Sequence, residues 1–146
     1  MKYKTRSGDY VYIDMGGGKF CYARILKKLL VGFYDVMSDG ILSVDDLFGV
    51  EFCFKINVTR SACEDGCWRV IGHEALSGDL LDYPRFYIKD IYTGQFSILN
   101  GIEQVPASKE DCKNLEEAAV WSWVHIKSRL IDHFNGDRNV WVSVIE

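Results

Sequence analysis

In the N-terminal two-thirds, apolar residues fall in short strand-like runs, some of them alternating between faces at a period of two, as in "DYVYID" and "VEFCFKINV". Only near the C-terminus does the spacing lengthen to that of a helix. "DYVYID" sets Val11 and Ile13 on one side and Tyr10, Tyr12 and Asp14 on the other. With the aromatic and β-branched runs at residues 19–27 and 29–36, it predicts three strands over residues 9–14, 19–27 and 29–36. "SDGILSVDDLF" predicts a turn at Asp39–Gly40 and a short helix capped by Ser43, with Asp45 and Asp46 in its first turn. Further strands are expected over residues 50–58 and in "WRVIGHEAL", and a hairpin over residues 85–99 with Thr93–Gly94 at its turn.

The C-terminal third changes period. "PASKEDCKNLEEAAVW" predicts a helix with Ser108 as N-cap, Asp111 completing a capping box, and Cys112, Leu115, Ala118 and Ala119 at helical spacing. A second helix starts at Ser122, carries Ile126, Leu130, Ile131 and Phe134 as its apolar stripe, and stops at Asn135–Gly136. "RNVWVSVIE" reads as a closing strand. The order implies one α+β domain over residues 1–146: mostly antiparallel β in the N-terminal two-thirds, two helices near the C-terminus and a final strand.

"YIDMGGGKFCYARIL" raises the question of a phosphate loop. The Walker spacing fails because Lys19 is followed by Phe20, and the dinucleotide spacing fails after Gly18. The residues after the glycines are strand-like and carry no helix start, so no helix N-terminus would face the anion. The glycines therefore predict the turn of a β-hairpin, where a positive φ is required.

At 146 residues with 48% hydrophobic and 14% aromatic side chains, the chain can bury a core of about two-thirds of its unfolded surface. Seventeen basic against 21 acidic residues give a net charge of −4. That balance disfavours a phosphate backbone as partner and makes a basic macromolecule the natural complement. No run approaches a membrane span, and "MKYKTRSGDY" lacks the apolar core of a signal peptide, so a cytoplasmic location is expected. Five cysteines cannot all pair within one chain, which fits a reducing compartment. Cys21 and Cys53 lie in apolar strands and are expected to act as small buried hydrophobes. "CEDGC" could contribute Cys63 and Cys67 to a zinc site, with His73 or Cys112 as further ligands. The two do not form a second close pair, so a turn at Asp65–Gly66 is the simpler reading.

Catalytic signals are thin. His125 and His133 are too far apart for the HExxH arrangement, and no nucleophile elbow occurs. His73 beside Glu74 is the one acid/base pairing in the sequence, and it reads as two solvated neighbours. Neither a catalytic residue nor a cofactor is expected.

Five stretches resemble one family in order and spacing: "GDYVYIDMGGGKFCYARIL", "GFYDVMSDG", "VEFCFKINV", "WRVIGHEAL" and "AAVWSWVHIKSRLIDHF", from Gly8 to about Phe134. The chain resembles the immunity protein 26 family, bacterial proteins encoded beside polymorphic or contact-dependent toxins. The resemblance implies a non-enzymatic cytoplasmic antidote that binds a cognate toxin C-terminal domain and blocks it, with no direct nucleic acid or membrane partner. Family members differ in partner, so no binding residue carries over.

Charge supplies the candidate partner-binding residues: Asp39, Asp45, Asp46 and Glu51 in one stretch, and Glu64 and Asp65 in another. A toxin that cleaves nucleic acid is basic where it holds phosphates, and carboxylates can occupy that surface. Two other readings stay open. A small barrel-like module for peptide or nucleic acid would present an aromatic groove around Tyr10, Tyr12 and Tyr22. An enzyme would need a deep pocket joining His73 or Cys67 to a second polar group.

Overall fold

A computed structural model describes residues 4–146. Strands β1 (Asp9–Gly16) and β2 (Lys19–Ile25) form an antiparallel hairpin whose register runs from Tyr10↔Arg24 to Gly16↔Lys19. Gly16, Gly17 and Gly18 carry φ of 85°, 62° and 78°. Side chains disfavour that backbone, and here it simply reverses the chain. The glycine cluster is a hairpin turn, as the pattern predicts.

β3 (Leu30–Ser38) and β4 (Phe52–Val58) extend the sheet from β2, and β5 (Arg69–His73) pairs with β1 on its other edge. Alternation along β1 divides the apolar residues between two faces. Val11 and Ile13 join Phe33, Ile56 and Trp68 on one face, while Tyr10 joins Tyr22, Tyr34 and Leu47 on the other. Both faces are covered, so this sheet is buried on each side. A second sheet holds β6 (Arg85–Lys89), β7 (Phe96–Asn100) and β8 (Glu103–Ala107), with the β6–β7 reversal near Thr93–Gly94.

Three helices complete the described chain: α1 (Ala62–Asp65), α2 (Lys109–Cys112) and α3 (Trp123–Asn135). α3 starts and stops where its sequence signals place it, from Ser122 at the N-cap position, which makes no side-chain cap bond, to Gly136 at φ 75°, while Ile131 of the expected stripe is exposed. Ile126 and Leu130 are fully buried against the Val11 face. The result is a single α+β domain with ten strands in two mixed sheets and three helices, the longest near the C-terminus.

Two expectations for the C-terminal third fail for tertiary reasons. The Ser108–Asp111 capping box forms, yet its helix lasts only four residues. The chain then supplies β9 (Glu116–Glu117), parallel to β6, and β10 (Val120–Trp121), parallel to β4. Open edges of two sheets take the backbone groups that a longer helix would have used, and packing overrides local propensity. Glu116 is fixed further by a two-pronged ion pair with Arg129 of α3 at 2.8 and 2.9 Å. That guanidinium lies 3.8 Å over the Phe54 ring.

Residues 138–146 also form no strand. Asn139 is buried and donates to Ser128 Oγ at 3.0 Å and Asp132 Oδ2 at 2.8 Å, while its own carbonyl oxygen accepts from Trp141 N. An asparagine that bonds local backbone in this way turns the chain despite the alternation around it. Trp141 then stacks on His125 at 4.1 Å.

The Glu116–Arg129 pair should dominate the stability of this junction. Glu116→Ala leaves a mostly buried cation unpaired and should destabilise by about 3–5 kcal/mol in urea unfolding. Adding Arg129→Met should recover part of that loss.

Candidate functional site

The face carrying Tyr10 and Tyr22 holds the most unusual chemistry in the molecule. Arg24 of β2 is almost fully buried within the run Cys21–Ile25, whose other members are Cys, Tyr, Ala and Ile. Its Nε donates to Gly8 O at 3.3 Å and its Nη2 to Glu74 O at 2.8 Å. The guanidinium also lies 4.0 Å over the Tyr10 ring, a favourable cation–π contact where water is excluded. Tyr10 stacks parallel to Tyr34 with ring centres 6.4 Å apart, and its hydroxyl donates to Glu74 Oε2 at 3.4 Å. Burial pushes the Tyr34 phenol up to about 12 and raises Tyr10 as well.

Gly8 makes this convergence possible. Its φ is 97°, and a Cβ there would fall 2.4 Å from Glu74 O. Beside it, Asp9 is buried and accepts from Arg6 N at 2.9 Å, with His73 Nδ1 2.8 Å from its other oxygen. The neighbours His73 and Glu74 therefore do not act together: one side chain engages Asp9 and the other Tyr10. β-strand geometry sends successive side chains in opposite directions, which sequence adjacency hides.

Tyr22 ties the acidic segment to the sheet. Its hydroxyl lies 2.7 Å from Ser38 Oγ, donates to Gly40 O and accepts from Leu42 N at 2.8 Å. The next turn is a 3-10 segment over Asp45–Leu47. The expected Ser43 side-chain cap is not what forms. Instead Ser43 N and Oγ both donate to Asp46 Oδ2, at 2.9 and 3.1 Å. Leu47 is buried, and Phe48 directly after it is 73% exposed.

A cleft of about 260 Å³ opens here, lined by Tyr10, Arg24, Tyr34, Phe48, Phe52 and Glu74 among others. Asp45 and Glu51 are exposed, and their carboxylates have no hydrogen-bond or ion-pair partner among the described residues. Asp39 pairs with Lys19, and Asp46 is spent on Ser43. Glu64 and Asp65 lie on α1, which packs on the opposite face of the sheet beside Trp68 and Leu130. The structure thus separates the two acidic groups. Of the three tyrosines expected to form an aromatic groove, Tyr22 is fully buried, Tyr12 is half-buried and Tyr10 lines this cleft.

"CEDGC" is split in the same way. Cys63 packs toward the core with its Sγ 3.9 Å from Thr5 Oγ1, whereas Cys67 is exposed at φ 52°. Arg24, Tyr34 and Phe48 were not singled out by the sequence pattern. An arginine inside "FCYARIL", flanked by residues that must be buried, was the available signal.

Residues 6–98 match the family model described as Immunity protein 26. The chain belongs to the Immunity protein 26 family. No curated protein and no solved structure matches it. The cleft lining from Tyr10 to Leu80, and all six candidate acidic residues, fall inside the family match. α3 and the tail around Asn139 lie beyond it, as does "AAVWSWVHIKSRLIDHF" of the resemblance.

Removing one oxygen tests how the acidic segment is held. Tyr22→Phe strands Leu42 N–H, while Gly40 O keeps the Ser38 hydroxyl as donor, so it should destabilise by about 1–3 kcal/mol in urea unfolding, with an unchanged denaturant slope.

Proposed function

We propose that this Immunity protein 26 family member binds a cognate bacterial toxin C-terminal domain, a nuclease, in the cytoplasm and blocks its active or substrate-binding surface without catalysis. The family match over residues 6–98 carries the reading and supports toxin neutralisation in general. No helix among the described residues is long and apolar enough to cross a membrane.

The surface we favour combines an apolar anchor with unpaired charge. Phe48, exposed and lining the cleft with Arg24, lies within a few residues of Asp45, Asp46 and Glu51 along the chain. An exposed aromatic within a polar rim is the kind of residue that dominates binding when a partner buries it. Unpaired carboxylates around it would steer a basic partner and raise the association rate. Asp39 and Asp46 contribute less, because Lys19 and Ser43 already engage them. Glu64 and Asp65 lie on the far face and belong to a separate footprint.

Growth during induction of the co-encoded toxin tests the activity. Cells expressing this protein should survive their cognate toxin and succumb to a distant one. Equal killing with and without soluble immunity protein rejects the reading.

Binding kinetics test the surface. Asp45→Asn with Glu51→Gln should slow association and flatten its dependence on salt, with little change in dissociation. Phe48→Ala should act on dissociation instead and cost about 2 kcal/mol or more. Unaltered kinetics in both folded variants would place the interface elsewhere.

A further inference from the structure

A second constellation lies where α3 ends against the sheet. In the pairing of β3 with β4, Phe33 faces Phe54 and Tyr34 faces Phe52, which leaves Cys53 as the extra residue of a bulge. Bulges re-aim side chains, and this one turns the Cys53 thiol to donate to Phe33 O at 3.3 Å. Next along β3, Asp35 N donates to Glu51 O, which sets Asp35 just past the bulge. His133, in the last turn of α3, brings its Nε2 to 2.7 Å from Asp35 Oδ1. A carboxylate oxygen, a sulfur and an imidazole nitrogen thus lie within 4.8 Å of one another, from three elements far apart in sequence.

We propose that Asp35, Cys53 and His133 form a divalent-metal site suited to zinc, with its fourth position open to solvent. The donor set is the reason for that metal. Thiolate and imidazole favour zinc over magnesium or calcium, which prefer oxygen, and zinc accepts a carboxylate as third ligand. Three protein ligands and an open position form the arrangement of an accessible zinc centre rather than a closed structural one.

The surroundings allow it. A cleft of about 240 Å³ lined by Cys53, His133 and Asp137 adjoins the donors, leaving room for water or for a partner's ligand. Binding would exchange the His133–Asp35 hydrogen bond for two metal bonds. The Cys53 proton leaves to solvent, and thiolate with carboxylate balances the two positive charges of the ion. Arg129 lines the same cleft, but its guanidinium is already paired with Glu116. Metal at this point would clamp the end of α3 to β3 and β4, joining the C-terminal helix to the family-matched sheet.

Titration of the full, metal-stripped chain with cobalt(II) tests the site directly. Stoichiometric binding should give a thiolate-to-cobalt charge-transfer band and the strong visible bands of four-coordinate cobalt, both displaced by zinc. Cys53→Ser should abolish the charge-transfer band, and His133→Gln should weaken binding at least about a hundredfold. Cys63→Ser with Cys67→Ser should leave the spectrum unchanged. Asp35→Asn alters an exposed side chain and serves as the ligand variant if Cys53→Ser fails to fold. The proposal is overturned by a wild-type spectrum with no thiolate band. It is equally overturned by a band that survives Cys53→Ser or disappears with the Cys63 and Cys67 pair.

Discussion

The burial of Arg24 organises the N-terminal half of this protein. A guanidinium taken out of water must keep its donors bonded, and here two backbone carbonyls and an aromatic ring accept them. Those carbonyls belong to Gly8 and Glu74, at opposite ends of the family-matched sheet in sequence. Satisfying one cation therefore fixes the entry to β1 and the exit from β5 together. Tyr10, Tyr34 and Glu74 are then positioned as the floor and wall of a cleft, with Phe48 at its lip. Arg24 is a scaffold residue that also colours the surface above it.

The other half of the structure solves a different problem. Two sheets must share one chain, and the segment from Glu116 to Trp121 edges the second sheet with β9 and the first with β10. The Glu116–Arg129 pair locks that crossing to α3. A buried ion pair of this kind is not required for a stable core, since apolar residues can often replace it. Its value here is registration, because the charges hold a two-residue strand that has few hydrogen bonds of its own.

These two arrangements divide the molecule by role. α1, α3 and the tail cover the Val11 face and leave Glu64 and Asp65 on that side. The opposite face carries the acidic turn and the cleft, where Asp45 and Glu51 keep exposed carboxylates without a partner among the described residues. An inhibitor needs a rigid surface presented at little entropic cost. A sheet packed on both sides, with its turn tied down by the Tyr22 hydroxyl, provides one.

Local signals in the sequence were sufficient for elements whose residues answer to nearest neighbours. The glycine turn needs positive φ, α3 has its start at Ser122, its buried Ile126 and Leu130 and its left-handed stop, and the N-terminal strands announce themselves by aromatic and β-branched runs. The capping box at Ser108 was legible too, but its length was not. How far that helix runs depends on edges of β6 and β4 that are distant in sequence. The closing strand failed for a related reason: Asn139 spends its amide on α3, a partner no alternation pattern reveals. Charge clustering likewise marked six acidic residues without dividing them between two faces. Packing made that division, just as the β3–β4 bulge, rather than any spacing, brought Cys53 to Asp35 and His133. Periodicity and turn chemistry set the elements of this protein, because they act over a few residues. Tertiary structure decided which side chains meet, because buried charge and open strand edges are satisfied only by groups far along the chain.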